Sequence, residues 1–445
     1  VYRFCAKLDK KRIWSFFVGA VSAPVLNTLF FMGYIVLVFY RTEFVQNLVV
    51  KKGAANPFMF VVLLVGVQGL VEAAACKSGI VIAQVNEIVE DLPRVDIPGG
   101  WVDFIVPADK PYPMEPLFTR DPQFIKDADI LMGMMVIKGI YAKHGVQSLN
   151  HGIGFNGAAI ELLLPTYGEQ LGLKGKICRN WVLNPHPTLI PAIEAGWVES
   201  ICAFGGEVGM EKYTEERSDI FFTGADGTLR SNRTLAQVAG LYAIDSFLGA
   251  TLQMDYYGNS STVTAGRLSG FGGAPNMGHN PGGRRHSSPA YHSLVEGKDT
   301  LRGGQKIVIQ MLKSSGKKGN NFVPELDAIA IGRDAGMEAP PIMVYGEDVS
   351  HTVTEQGIAY CYMAEDAEER KLMLASIAQG TPFGEMVTKE QIEAFRKAGK
   401  VAYPEDLGID RAMATKDLLA CKNLEEIAEC SGGLYVVPEK FRKKD

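Results

Sequence analysis

The chain has 445 residues, of which 47% are hydrophobic and 21% charged, and its formal net charge is −5. This length predicts about two to four domains of roughly 100–200 residues each, and the composition excludes a disordered chain, a collagen and a small disulfide-rich protein. The averages conceal two different parts, because residues 1–77 carry a net charge of +6 and residues 78–445 carry −11. The seven cysteines are scattered without a CxxC pair, which argues against a disulfide framework and a zinc site and is typical of a reducing compartment.

Two long apolar runs dominate residues 1–77. Neither 13–40 nor 53–71 contains a charged residue. A bilayer core takes about 20 apolar residues per helix, so the runs predict a two-helix transmembrane hairpin with helices at about 13–40 and 55–75. More basic residues precede the first run than lie between the two, which predicts a cytoplasmic N-terminus and a cytoplasmic catalytic part after the hairpin. The alternative is a pair of buried helices in a soluble domain.

The apolar runs also resemble part of a membrane protein family. The strings VGAVSAPVLNTLFFMGYIVLVFY and PFMFVVLLVGVQGLVEAA are similar to the last helices of the substrate-binding component of energy-coupling-factor vitamin transporters. The resemblance covers residues 1–75. Two helices cannot build the six-helix binding site of that family, so no transport function is expected.

From Ser78 onward the pattern is that of an α/β protein. Short apolar runs rich in β-branched residues alternate with helical runs, and glycine and proline separate them. Predicted strands lie at 79–85, 101–106, 147–150, 177–183, 200–204, 220–223, 250–256, 306–312, 328–331 and 341–345. Predicted helices lie at 124–143, 187–195 and 234–247, with a proline-rich linker at 107–122. This alternation predicts an α/β fold with a largely parallel sheet.

One helix near the C-terminus carries signals at both ends. Thr388-Lys-Glu-Gln391 matches a capping box, and Gly399 is suited to ending the same helix.

A glycine-rich turn at 150–157 is the first candidate site. It follows a predicted strand and precedes a helical run, so its backbone N–H groups can approach a ligand at the start of the helix. The spacing does not match GxGxxG with an acidic residue about 20 positions later, which disfavours a dinucleotide. An ordinary glycine turn is the alternative.

A second glycine cluster, at 269–278, leaves several backbone N–H groups free to point at one oxygen, as an oxyanion hole requires. Arg284 and Arg285 follow it and suit a phosphate or an acidic partner. A flexible loop and a solvated basic loop are the respective alternatives. His186 and His351 each stand alone in the sequence and are expected to be structural histidines.

A series of long motifs in order resembles the α subunit of bacterial malonate decarboxylase. Among them are GIVIAQVNEIVEDLPRVDIP, LNHGIGFNGAAIELLLPTYGE, LGLKGKICRNWVLNPHPTLIPAIEAG, GNSSTVTAGRLSGFGGAPNMG and VYGEDVSHTVTEQGIA. The resemblance covers about 78–445. It implies a CoA-transferase-like enzyme that turns acetyl-S-carrier and malonate into malonyl-S-carrier and acetate. It also implies an acyl carrier subunit and decarboxylase subunits as partners, and no cofactor on this chain, since the thiol belongs to the carrier's phosphoribosyl-dephospho-CoA group.

The resemblance, together with the basic residues named above, gives the candidate site residues. The substrate-binding candidates are Gly152, Gly154, Phe155, Asn156, Gly157, Arg267, Arg284 and Arg285, and the catalytic candidates are Gly272, Gly273, Ala274, Asn259 and Ser260; no metal ligand is implied. In related CoA-transferases the motif that matches Gly258–Ser260 leads into a catalytic glutamate, but no glutamate follows here. We therefore expect malonate to attack the acetyl thioester directly, without a covalent enzyme intermediate.

The resemblance further implies a shortened first domain. Residues 78–112 match the tail of a first CoA-transferase-like domain, residues 115–445 match the second, and the hairpin of residues 1–77 stands in place of the rest. A membrane-tethered transferase is thus one hypothesis. A truncated or chimeric, non-catalytic fragment is the second, a citrate lyase α-type transferase is the alternative enzyme, and a transport-linked membrane protein is a further alternative.

Overall fold

The structure is a computed structural model that describes residues 82–90, 102–111, 115–203, 206–221, 244–264, 267–268, 307–316, 319–338 and 340–442. The predicted hairpin at 13–75 lies outside these residues, as does most of the predicted helix at 234–247. Among the helices that are described, none is long and apolar enough to cross a membrane.

The chain divides into two compact units, Val1–Pro113 and Met114–Asp445. In the described part of the first unit, β1 (Ile82–Val85) pairs in parallel with β2 (Phe104–Pro107). β1 lies within the predicted run 79–85, and β2 overlaps the predicted run 101–106 and ends one residue beyond it, at Pro107. The domain limits at 77, 112 and 115 stay a prediction.

An eight-stranded sheet forms the centre of the second unit. Its strands are β3 (Ser148–His151), β4 (Asn180–Val182), β5 (Ser200–Cys202), β6 (Ser246–Ala250), β11 (Ile307–Met311), β16 (His351–Val353), β17 (Ile358–Ala359) and β18 (Val401–Ala402). Their order across the sheet is β18-β17-β16-β11-β6-β3-β4-β5, and all pairs from β16 to β5 are parallel, whereas β17 and β18 are antiparallel additions. The prediction of an α/β fold with a largely parallel sheet is confirmed.

A smaller mixed sheet lies in the same unit. It has the order β14 (Phe322–Val323), β7 (Met254–Asp255), β8 (Ser260–Ser261) and β15 (Met343–Val344). Two short antiparallel ribbons accompany it, β9 (Val263–Thr264) with β10 (Arg267–Leu268) and β12 (Ser315–Gly316) with β13 (Gly319–Asn320).

Helices of the second unit pack around these sheets. They are α1 (Asp127–Val136), α2 (Phe155–Leu163), α3 (Ile190–Glu194), α4 (Glu211–Glu216), α5 (Ala328–Asp334), α6 (Ala367–Ser376), α7 (Lys389–Lys397) and α8 (Leu424–Cys430). π-Helical turns extend α1 over Ile137–Ala142 and α2 over Leu164–Gly168, and single 3₁₀ turns lie at Pro122–Phe124, Pro187–Leu189, Cys361–Met363, Gly384–Met386, Arg411–Met413, Lys416–Leu418 and Glu439–Phe441.

The crossing of α1 over α2 depends on a glycine. A Cβ atom at Gly133 would lie 2.8 Å from Leu163 Cδ1, closer than carbon atoms approach without contact strain. The two helices can therefore pack closely, and their apolar side chains join one large buried core with the main sheet.

Two elements differ from the prediction. Residues 328–331 form the start of helix α5 and not a strand, because the Asp327 carboxylate caps the N–H groups of Ile329 and Ala330. The predicted helix at 234–247 is wrong at its end, since Ser246 and Phe247 belong to β6. This strand lies between β3 and β11 and is buried on both faces, so its continuous apolar run does not show the alternation of a half-exposed strand.

Candidate functional site

A cavity of about 690 Å³ lies where two central strands end. Residues that follow β6 and β11 form one side of it, and the beginnings of α1 and α2 form the other. The described lining is Phe124, Lys126, Asp129, Phe155, Asn156, Ala250, Thr251, Leu252, Gln253, Leu312, Lys313, Asn320 and Asn321. Open α/β sheets bind ligands at the carboxyl ends of their parallel strands, so the cavity is the candidate site.

The glycine turn brings two predicted substrate-binding residues to this cavity. Strand β3 ends at His151 and α2 begins at Phe155, so the reversal takes three residues, Gly152 to Gly154. Gly154 has φ +155°, which side chains rarely permit, and it caps α2 without a side-chain hydrogen bond. Phe155 and Asn156, in the first turn of α2, then line the cavity, next to the partial positive charge of the helix N-terminus.

The turn is closely packed on itself. The Gly152 N–H donates to the Leu248 carbonyl oxygen at 2.7 Å, which ties the turn to β6. A Cβ atom at Gly157 would lie 3.2 Å from the Gly152 carbonyl oxygen and 3.3 Å from His151 Cβ. The three predicted glycines thus form one compact turn around Phe155 and Asn156, and the glycines themselves are not among the described lining residues.

The charged residues of the lining favour an anion. Asp129 is the only carboxylate among the described lining residues, and both of its oxygens are occupied. Lys313 Nζ lies 3.0 Å from Oδ1, and the Lys126 backbone N–H donates to Oδ2 at 3.1 Å. With Lys126 and Lys313 against Asp129, the described lining carries a net positive charge.

A buried polar cluster lies beneath the turn. The Glu161 side chain on α2 is fully buried and accepts hydrogen bonds from His151 Nδ1 at 3.0 Å and His186 Nδ1 at 2.9 Å. Thr188 Oγ1 donates to its second oxygen at 2.5 Å, and the Tyr141 hydroxyl meets His151 Nε2 at 2.9 Å. Burial raises the pKa of Glu161, but the positive potential and hydrogen bonds of the two histidines outweigh burial and hold that pKa at about 2.

Sequence reasoning missed most of this cluster. His186 is a structural histidine as expected, yet it does not stand alone, because it shares the Glu161 oxygen with His151. The sequence did contain a signal for the cluster. His151 directly follows a predicted strand, and Glu161 follows ten residues later inside an otherwise apolar helical run. His351 is also fully buried and bonds Ser350 Oγ at 2.8 Å, as expected of a structural histidine.

Ser260 lies in the smaller sheet, Asn259 directly precedes it, and neither is among the described residues of the cavity lining. Asn259 Nδ2 donates to Asp255 Oδ2 at 2.8 Å, and Asn259 Oδ1 accepts the Gly346 N–H at 2.8 Å. Ser260 is buried in β8 opposite Val344. Both side chains thus belong to the framework of that sheet, and their catalytic roles stay a prediction.

The remaining predicted site residues are described in part or not at all. Arg267 contributes its backbone to β10. The others lie outside the described residues, namely Gly272, Gly273, Ala274, Arg284 and Arg285.

Comparisons with known proteins agree with one another. The family described as "Malonate decarboxylase, alpha subunit, transporter" matches residues 66–444. The "Acetyl-S-ACP:malonate ACP transferase" of Malonomonas rubra is 52% identical over 380 residues, which are 84% of this chain and 69% of that protein.

Two solved structures are similar over the same share of the chain. One is a malonate decarboxylase alpha subunit from Acinetobacter baumannii, and the other is a Pseudomonas malonate decarboxylase hetero-tetramer in complex with malonate. Each is 58% identical with a TM-score of 0.74, and each match covers 84% of this chain and 70% of the other.

Proposed function

Because this chain belongs to the malonate decarboxylase alpha subunit family, we propose that it is a transferase that converts acetyl-S-ACP and malonate into malonyl-S-ACP and acetate. The observation that carries the proposal is the 52% identity, over 84% of the chain, to a protein named for this reaction. The positively charged cavity at the strand ends supports it, since both malonate and the acetate product are anions.

The reaction proceeds by direct attack of malonate. One malonate carboxylate oxygen attacks the acetyl carbonyl carbon, the C–S bond breaks, and the carrier thiolate leaves. The thiolate then attacks the malonyl carbonyl of the mixed anhydride, and the C–O bond to acetate breaks. This scheme needs no enzyme nucleophile. In related CoA-transferases the matching motif leads into a catalytic glutamate, and here the corresponding residues, Ser261–Thr264, contain none.

The protein contributes position and electrostatics to these steps. Holding the malonate carboxylate against the thioester carbonyl removes the entropy of bringing them together. Backbone N–H groups of the second glycine cluster, at Gly272, Gly273 and Ala274, stabilise the oxyanion, and the cations Lys126 and Lys313 hold the carboxylates. Asp129, the one carboxylate of the described lining, is held by Lys313 Nζ and by the Lys126 backbone N–H.

The partners follow from the same assignment. The thiol is that of the phosphoribosyl-dephospho-CoA group on a small acyl carrier subunit, and the chain itself holds no cofactor. Decarboxylase subunits consume malonyl-S-ACP, as the hetero-tetramer of the Pseudomonas relative suggests. The catalytic part acts in the cytoplasm, tethered to the membrane if the hairpin at 13–75 forms.

A single-turnover experiment with labelled malonate tests the mechanism. The full chain, in excess over acetyl-S-ACP, is mixed with malonate that carries ¹⁸O in its carboxylates, and the acetate is analysed by mass spectrometry. Direct attack places one ¹⁸O in the acetate of the first turnover, because the attacking malonate oxygen departs with the acetyl group. Transfer through an enzyme carboxylate would give unlabelled acetate in that turnover.

The same assay separates the transferase from a non-catalytic fragment. The control is the Malonomonas rubra relative assayed with the same acetyl-S-ACP. Malonate-dependent acetate release by both proteins supports the proposal. Release by the control alone would contradict it and favour the fragment.

A further inference from the structure

The cluster around Glu161 joins segments that are distant in the sequence. Tyr141 comes from the π-helical turn after α1, His151 from the end of β3, Glu161 from α2, and His186 and Thr188 from the segment between β4 and α3. None of the five is more than 6% exposed. Their hydrogen bonds therefore form away from water, where each is electrostatically stronger than on the surface.

The donors and acceptors of the cluster allow one consistent arrangement. An ionised carboxylate only accepts, so both histidines donate from Nδ1 and Thr188 donates its hydroxyl proton to Glu161. The neutral His151 ring then accepts at Nε2, where the Tyr141 hydroxyl donates. Burial lowers the pKa of His151 more than Glu161 raises it, in agreement with a neutral ring.

The cluster is in direct contact with both ends of the glycine turn. His151 is the residue before Gly152, and its Cβ lies 3.3 Å from where a Cβ at Gly157 would be. Glu161 follows Gly157 by one turn of α2. The hydrogen bond between His151 and Glu161 therefore bridges the two ends of the turn, from the last residue of the strand to the helix.

Stability alone does not account for such a cluster. Desolvating a carboxylate costs several kcal/mol, and well-packed apolar side chains of similar volume stabilise a core about as well or better. What directional hydrogen bonds add is a defined geometry. Here the geometry concerns the turn that carries Phe155 and Asn156 into the cavity wall.

We propose that Glu161 is a positioning residue for the cavity, holding the Gly152–Gly157 turn in place through His151, with Tyr141 fixing the orientation of the His151 ring. The effect on catalysis rests on the proposed transferase function, whereas the effect on the turn does not. Glu161 does not line the cavity and acts only through the turn.

The experiment compares two variants of the cluster with a matched control. Glu161→Gln removes the anion, and Tyr141→Phe removes the hydroxyl that bonds His151 Nε2. Tyr213→Phe is the matched control. Tyr213, on helix α4, is also 0% exposed, and the substitution removes one hydrogen bond, from its hydroxyl to Glu194 on helix α3 at 2.6 Å. Amide hydrogen exchange of a peptide spanning 150–158 is measured in the full chain, and kcat and KM for malonate are measured with acetyl-S-ACP.

We expect exchange at 150–158 to rise at least about tenfold in Tyr141→Phe and in Glu161→Gln, and to stay unchanged in Tyr213→Phe. We expect kcat to fall about tenfold or more in the two cluster variants while KM for malonate changes less, because a misplaced turn loses alignment more than binding. If Glu161→Gln does not fold, Tyr141→Phe alone gives the answer.

Unchanged exchange at the turn in the cluster variants would overturn the proposal, and so would an equal rise in Tyr213→Phe. If the wild-type chain has no transferase activity, the proposed function fails, and the exchange data still decide the positioning role.

Discussion

At the residue scale, an ionised carboxylate is buried beside the glycine turn that leads into the candidate site. Glu161 is a fully buried carboxylate, and its negative charge is maintained by donors from three other residues. Glu207 is another of the buried carboxylates, and it fixes the backbone near the start of the second unit. It accepts the backbone N–H groups of Leu117, Phe118 and Thr119. Glu161 holds the turn beside the cavity in place, and Glu207 fixes the backbone of residues 117–119.

The depressed pKa of Glu161 predicts how its contribution to stability depends on pH. Its pKa is about 2 in the folded protein against 4.5 ordinarily, so its contribution is complete above pH 4.5 and is lost as the pH falls toward 2. We expect Glu161→Gln to lower the free energy of unfolding by about 3 kcal/mol at pH 7, as for other broken buried pairs. The difference from wild type should shrink between pH 4.5 and pH 3. Urea denaturation at several pH values measures it, and a difference independent of pH would contradict the assignment.

At the element scale, local signals determine where helices begin and end. The predicted capping box of α7 is present, since Thr388 Oγ1 accepts the Gln391 N–H at 3.3 Å and Gln391 Oε1 accepts the Thr388 N–H at 2.9 Å. Gly399 follows α7 with φ +70°, as a helix-ending glycine does. Asp327 is also a capping residue, and its side chain caps the start of helix α5 where the sequence predicted a strand at 328–331. For an apolar run of only four residues, the capping residue before it therefore decides between a strand and a helix.

The capping box of α7 can be tested with a matched pair of threonines. Thr388→Ala should lower the free energy of unfolding by about 1 kcal/mol, because the Gln391 backbone N–H loses its acceptor, Thr388 Oγ1. Thr415 precedes the 3₁₀ turn at Lys416–Leu418 without a side-chain cap, so Thr415→Ala should change stability by less than about 0.5 kcal/mol. Urea midpoints of the two variants measure the difference. Equal losses would show that the box does not stabilise α7.

At the scale of the whole molecule, the second unit is closed by contacts between distant segments. Ala420 N–H donates to the Leu162 carbonyl oxygen at 3.1 Å, and Val436 N–H donates to the Gly209 carbonyl oxygen at 2.9 Å. The residues after the last strand thus return to α2 and to the segment before α4. The described hydrophobic core, from Ile125 to Tyr435, lies within this unit.

This arrangement predicts that residues 114–445 fold independently. A unit with its own core and its own long-range hydrogen bonds should give a heat-absorption peak of its own on thermal unfolding. Differential scanning calorimetry of residues 114–445, compared with the full chain, measures this transition. A broad transition without a heat-capacity peak would show that the core depends on residues 1–113.

The sequence by itself determined the family, the α/β class with its largely parallel sheet, the glycine turn and the caps of α7. These features depend on residues within a few positions of each other, or on long motifs that keep their order. Only the tertiary structure decided that Asn259 belongs to the framework of a second sheet and that Phe155 and Asn156 line the cavity. It also showed that His186 and His151 both donate a hydrogen bond to the Glu161 carboxylate. Such contacts depend on how strands align across a sheet and how helices cross it, and hydrophobic pattern alone does not specify these distances.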